Sequence, residues 1–379
     1  MATVLCRKLK ALRHALNTWS KGISRLLIAI ENSNKALFEL DELENKRTLS
    51  LPEENFRRIL KSHIFRLLSY QQQYWKKRCT IRWVKFGDEN SKFFQAMASE
   101  RRRINNIASL TNDMGIIVED HARKEALIFD TFKQRLGTAS RHDMKFDLDR
   151  IIKKVDGLDE LTIPFTTNEI DNVIKLMPAD RAPGPDGFNG AFLKSYWHII
   201  KHDFYKLCNQ FFDGNLNLES INDGFITLIP KNNAPSLVND YRPITLLNCC
   251  LKVITKILAN RLQRVILRII HRHQYGFLKG RTIQDCLAWA FEYIYQCQAS
   301  KKEIVLLKLD FAKAFDTIDH AAMLTIMKNM GFNDKWLGWV QCIFGSHKSA
   351  ILLNGVPGDN SIVNAESDKV IPFLLWCLF

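Results

Sequence analysis

Long apolar runs and paired-cysteine motifs are both missing from this sequence of 379 residues. No stretch approaches the roughly twenty apolar residues that cross a bilayer, and the apolar end from Val370 to Phe379 is short and interrupted by Pro372. A membrane partner is therefore not expected. The nine cysteines include no C-x-x-C pair, and Cys249 and Cys250 are chain neighbours, which rarely bridge to each other. That usage predicts reduced thiols in an intracellular protein. His198 and His202 stand four apart, but no Glu follows His198 and no third ligand is near, so a surface pair is predicted in place of a zinc site. Acids are absent from the first thirty residues, which carry six basic side chains. That is faintly like a transit peptide, yet the segment is Leu-rich at helical spacing and poor in Ser, as in an ordinary amphipathic helix. No internal repeat or low-complexity tract is present.

What is there is basic and globular. Hydrophobic residues make up 46 % and charged residues 25 %, with 54 Lys and Arg against 40 Asp and Glu, a formal net charge of +14. A chain of this size can build two or three cores, and its surface should attract polyanions. Between Leu9 and Leu43, residues Leu12, Leu16, Trp19, Ile23, Leu26, Leu27 and Ile30 recur at steps of three and four, predicting a buried helical face. Pro52 with Glu53 and Glu54 suits the first turn of a further helix running past Tyr74. From Arg57 to Asn106, thirteen Lys or Arg face three acids and interleave with Tyr70, Tyr74, Trp75, Trp83, Phe86, Phe93 and Phe94. Such a segment either grips phosphates and bases or is a solvated basic helix with a small aromatic core.

Farther on, Pro183, Gly184, Pro185, Asp186 and Gly187 form a rigid turn before an aromatic helix from Phe188 to Phe212. Two β-like runs, Phe225 to Ile229 and Arg242 to Leu247, predict a hairpin with a mobile tip around Pro235 and Asp240, and Asn248 is placed to cap the helix that follows. In that helix Ile254, Ile257, Leu258, Leu262, Val265, Ile266 and Ile269 read as core, while Lys252, Lys256, Arg264, Arg268 and Arg272 form a stripe. Tyr241 to Gln284 holds nine Lys or Arg and not one carboxylate, which favours a polyanion track over a merely solvated face. Ile304 to Leu309 is an apolar run of strand length that reads as a buried central strand with Asp310 at its carboxyl end. A helix is expected from about Thr317 or His320, stopping before Gly331.

Five segments occur in order: RAPGPDGFNGAFLKSYW, LIPK, NDYRPITLLNCCLKVITKILANRL, QYGFLKGRTIQD and VLLKLDFAKAFDTIDH. Together they resemble successive motifs of non-LTR (LINE-type) retrotransposon reverse transcriptases, and IRWVKFGDENSKFF is similar to the connector preceding the polymerase in plant elements of this kind. The resemblance covers about Trp75 to Pro357. It implies an α+β fold: right-hand polymerase fingers and an incomplete palm, preceded by a helical extension. The expected divisions are a basic helical connector over 1–110, a joining segment over 111–165, fingers over 166–299, a partial palm over 300–358 and a tail over 359–379 that matches nothing in the family.

The same resemblance assigns roles. Asp310 matches the first catalytic aspartate, which with the backbone carbonyl of Phe311 would hold Mg²⁺. Phe315 matches the ring beneath the nucleotide sugar, with plain core packing as the other reading, and Asp316, before a helix, reads as a cap or a structural hydrogen bond. Arg242 and Lys231 match the fingers cations that reach the triphosphate of an incoming deoxynucleotide. Lys279 and Arg281 are expected on template or primer backbone unless LKGR is only a turn, and Lys252, Lys256, Arg264 and Arg268 form the track for RNA template and DNA primer. The family implies nuclear work.

The family's later Arg-Gln-Gly-Asp-Pro segment and Ala-Asp-Asp turn are not found, and no two aspartates are adjacent. The expectation is thus a fragment of an RNA-directed DNA polymerase, lacking the endonuclease, the later palm motifs and the thumb, and inactive alone. The alternative is a non-catalytic RNA- or DNA-binding remnant. A palm without its later strands should also make the part after Ser300 the least stable.

Overall fold

The structure, a computed structural model, describes residues 2–23, 25–79, 91–137, 147–276, 278–309 and 319–361. The chain divides into two compact units, Ala11–Ala108 and a larger one comprising Met1–Lys10 and Ser109–Phe379.

The smaller unit is helical: most of α1 (Ala2–Ile23), then α2 (Leu26–Glu44), α3 (Leu51–Cys79) and α4 (Ser91–Asn105). Helix α3 starts where Pro52 and its acids predict, with the Ser50 amide and hydroxyl donating to Glu53 at 2.8 and 2.7 Å. It packs on α2 through Leu40, Leu60 and Ile64, and Arg57 ties the pair by donating to Asp41 and Glu44 at 2.7 and 2.6 Å. Of the aromatics interleaved with basic residues, Trp75, Phe93 and Phe94 join Cys79, Ala98 and Met97 in a local core, whereas Tyr70 and Tyr74 stay exposed. Trp83 and Phe86 lie outside the described residues. The buried face expected from Leu12 to Ile30 is not formed. Leu12, Leu16, Trp19 and Leu27 are exposed, because α1 and α2 are separate helices with no common phase and α2 meets α3 along the Ala36, Leu37 and Leu40 line.

The larger unit mixes helix and sheet, as expected. In chain order it contains β1 (Leu110–Thr111), β2 (Ile117–Val118), α5 (His121–Gly137), α6 (Leu148–Ile151), α7 (Thr167–Leu176), α8 (Gly190–Phe212), β3 (Asp223–Pro230) and β4 (Tyr241–Leu247). Then come α9 (Cys249–Ile269), α10 (Ile283–Ala299), α11 (His320–Met330), α12 (Asp334–Gly345), β5 (Lys348–Leu353) and β6 (Val356–Ser361). The predicted hairpin is β3 and β4, antiparallel, inside a four-stranded sheet of order β4-β3-β5-β6 in which β3 and β5 run parallel. Alternation places Ile226, Leu228, Tyr241, Thr245 and Leu247 on the buried face of the hairpin.

One core joins α7, α8, α9 and α12, and Leu5 and Leu9 of the larger unit's amino-terminal stretch enter it too. At its centre Trp339 meets Phe165, Phe211 and Phe212 with ring centroids 5.5 to 5.6 Å away. Helix α11 ends on Gly331 at φ 100, as predicted, and a Cβ there would also stand 2.9 Å from the Val155 carbonyl. After Ser300, where the least stable part is expected, the described residues differ in their packing. Trp336, Val340, Ile343 and Phe344 of α12 are core residues, and Ile351 and Leu353 of β5 are buried in the sheet. A buried polar cluster locks this region to β3: His347 Nδ1 lies 2.8 Å from Asn222 Oδ1 and Nε2 lies 2.6 Å from Ser349 Oγ. Asn222 Nδ2 donates to the Ile343 carbonyl and Ser346 Oγ at 2.7 and 2.8 Å, which fixes its amide so that its oxygen accepts from His347.

The expected central strand is the other correction. Residues 302–309 form no strand, and Val305, Leu306, Leu307 and Leu309 are 66 to 93 % exposed. An apolar run states a demand for burial without supplying a neighbour, and among the described residues no strand of the four-stranded sheet pairs with this segment.

Candidate nucleic-acid interface

The motif around Gly184 works as a clamp on the start of α9. Asp186 accepts from the amides of Cys249 and Phe188 at 2.6 and 3.2 Å, while its own amide donates to Asn248 Oδ1 at 2.9 Å. Asn248 therefore occupies the predicted N-cap position, but its side chain does not cap; the carboxylate of Asp186 serves the α9 amide in its place. Only glycine fits at 184, since a Cβ there would lie 2.3 Å from the carbonyl carbon and oxygen of Leu247.

The hairpin's other face is open. Ile229 pairs with Arg242, and the Lys231 amide continues the ladder by donating to the Asp240 carbonyl at 2.8 Å. The two-residue period therefore puts Lys231 and Arg242 on one face, at the free end of the hairpin, and both are exposed. The tip is tied down. Asp240 accepts from the amides of Leu237 and Ser236, each at 2.9 Å, and these bonds hold its carboxyl below the ordinary carboxylate value. The Ser236 carbonyl in turn accepts from Thr111 at 2.7 Å, and Lys231 Nζ donates to the Asn239 carbonyl at 2.6 Å.

Along α9 the predicted stripe splits. Lys256 and Arg264 are exposed and hold no hydrogen bond or ion pair among the described residues. Lys252 donates to the Ala182 carbonyl at 3.0 Å, and Arg268 pairs with Glu160. Arg261, which periodicity gives no special role, is buried and bonded to Glu169. After α9, Lys279 is exposed beside Gly280 at φ +91, with open space where a Cβ would stand. Arg281 staples this loop, its Nη1 donating to the carbonyls of His271 and Gln274 at 2.7 and 2.6 Å. His198 and His202 are exposed, as expected for a surface pair.

Asp310, Phe311, Phe315 and Asp316 lie outside the described residues. Among the described residues no group of three or more His, Cys, Asp or Glu could hold a metal ion. Mg²⁺ chemistry at Asp310 therefore rests on sequence alone. No helix among the described residues is long and apolar enough to cross a membrane.

Residues 229–365, which begin inside β3 and run through α9 to β6, match the family described as reverse transcriptase (RNA-dependent DNA polymerase). This segment is thus similar to reverse transcriptases, and the relatives matched across it are proteins of transposons. The chain is 26 % identical over 281 residues to an uncharacterized 149 kDa protein of transposon TX1 from Xenopus laevis, covering 70 % of this chain and 21 % of that protein. It is 27 % identical over 177 residues to the probable RNA-directed DNA polymerase from transposon BS of Drosophila melanogaster, covering 44 % of this chain and 19 % of the relative. The RNA-directed DNA polymerase from mobile element jockey of the same organism is 24 % identical over 177 residues, 45 % of this chain and 19 % of the relative. The chain thus spans about a fifth of the length of these relatives. The reverse transcriptase family implies a template, a primer and a divalent metal, and the exposed cations of the hairpin and of α9 lie within the segment that matches it.

Proposed function

We propose that this chain is part of an RNA-directed DNA polymerase of a non-LTR retrotransposon, and that its described residues grip nucleic acid. The observation that carries this reading is that Lys231 and Arg242 stand on one solvent-facing end of the β3–β4 hairpin, within a segment that matches the family. Arg242 presents a planar fork to phosphate oxygens and Lys231 a point charge, the two kinds of donor that a triphosphate takes up. Lys256, Arg264 and Lys279 line the backbone of the RNA template and DNA primer, whereas Lys252, Arg268 and Arg281 chiefly hold the protein's own loops. Asp310 and the Phe311 carbonyl hold Mg²⁺, and Phe315 lies beneath the nucleotide sugar; these roles rest on the motif VLLKLDFAKAFDTIDH.

We further propose that the 379 residues bind without extending a primer. Mg²⁺ keeps its waters unless several oxygens surround it, and Asp310 is the one carboxylate that the motifs assign to it. Primer extension on an RNA template with the purified chain tests this. Bound strand with no added nucleotides is expected; a magnesium-dependent product abolished by Asp310→Asn would overturn it.

A further inference from the structure

Helix α10 has the composition of a core helix and none of its residues is buried. Trp289 and Tyr293, one turn apart, stack with rings 7° from parallel and centroids 5.6 Å apart, and each residue is 51 % exposed. The row of rings continues into the preceding loop: His273 lies 4.6 Å from Trp289, and His271 lies 5.1 Å from His273. Cations surround the row. Arg272 Nε donates to His273 Nε2 at 3.2 Å, Arg281 is bonded to the His271 carbonyl, and Lys279 is exposed in the same loop. The acids of α10 are occupied, Asp285 by the Thr282 amide and Glu292 by Gln296. Partial burial and then the charges of Arg272, His271 and Arg281 hold the His273 ring below its ordinary pKa, as expected where positive field converges.

We infer that His273, Trp289 and Tyr293 form a stacking platform for unpaired nucleobases of a single strand, with Arg272 and Lys279 meeting its phosphates. Flat exposed rings beside cations supply the two attractions that single strands offer, π-faces and charge. The inference rests on the nucleic-acid reading above and adds to it a place and a ligand: bases that are not paired.

The test measures binding by fluorescence anisotropy with two probes, an oligothymidylate and an abasic deoxyribose-phosphate strand of equal length. Trp289→Ala should weaken the oligothymidylate roughly tenfold and leave the abasic strand unchanged, and Trp289→Phe should recover most of the loss. Since α10 buries none of its residues, the variants should keep the wild-type circular dichroism and unfolding midpoint. Equal loss on both strands, or no loss on either, overturns the platform and leaves the wider binding reading intact. Failure of the wild-type chain to bind either strand defeats both. If the wild-type chain self-associates, Trp289→Ala abolishes this, and strand binding is unaffected, the face belongs to a second copy and the platform is wrong.

Discussion

Arg261 and Glu169 form a two-pronged ion pair inside the larger unit: Nε meets Oε1 at 2.9 Å and Nη2 meets Oε2 at 2.8 Å, with the Arg261 side chain 2 % exposed. The remaining guanidinium hydrogens go to the carbonyls of Leu161, Ile163 and Pro164, so one side chain fastens the stretch before α7 to the middle of α9. Removing one partner strands a buried charge. Arg261→Ala should therefore cost about 3 to 5 kcal/mol in urea unfolding. Arg261→Lys should recover only part of that, since an ammonium cannot serve five acceptors spread across a plane. A loss below about 1 kcal/mol for Arg261→Ala would mean the pair is not formed.

Gly184 and Asp186 should prove structural. Gly184→Ala forces a methyl onto the Leu247 carbonyl and should shift the chain between β4 and α9. Asp186→Ala removes the acceptor for the Cys249 amide and should cost about 0.5 to 2 kcal/mol, the usual worth of a helix cap. Thermal unfolding of both variants checks this, with Gly184→Ala the more damaging.

His347 makes the protein acid-sensitive. Burial pushes its pKa down to about 4, a hydrogen bond that the ring donates to Asn222 partly opposing the shift. Against an unfolded value of about 6.5, the unfolded chain takes up the proton first as pH falls, so stability is full above about 6.5 and is lost down to about 4. The expected loss is about 3 kcal/mol, at 1.36 kcal/mol per pKa unit. Urea midpoints at intervals across that range measure it, together with the His347 ring signals by NMR. Titration of His347 near 6.5 would contradict the buried cluster.

The elements set by local chemistry were readable in the sequence: the hairpin from its alternation, α3 from Pro52 and its acids, the end of α11 from Gly331, and α8 from the turn before it. What could not be read is tertiary. The absence of acids between Tyr241 and Gln284 suggested a track of free cations, yet Glu160 and Glu169, far away in the chain, neutralise Arg268 and Arg261. The His273, Trp289 and Tyr293 row unites a loop with a helix, and the His347 cluster unites three segments; no single periodicity contains either. Ile304 to Leu309 has the composition of a buried strand and lies exposed, because composition states what a segment needs and only the fold says whether a neighbour meets it.

Limited proteolysis should find that same difference. Chymotrypsin should cut first at Leu306 or Leu307, where the chain is exposed and forms no strand. The segment from His320 to Gly358 should survive and remain bound to the rest after cleavage, since α12 and β5 belong to its core and sheet. Early cuts within α12 would show that this packing is not formed.

If the exposed cations on the hairpin and on α9 bind nucleic acid, as proposed, the affinity for RNA must fall steeply with salt. Each cation that meets a phosphate adds roughly 0.7 to 0.9 to the steepness of log K against log salt concentration. The wild-type chain should show a steep slope. The slope should flatten, with an unchanged urea midpoint, when Lys231, Arg242, Lys256 and Arg264 are all changed to Gln. A slope that stays the same in that variant would contradict the proposal.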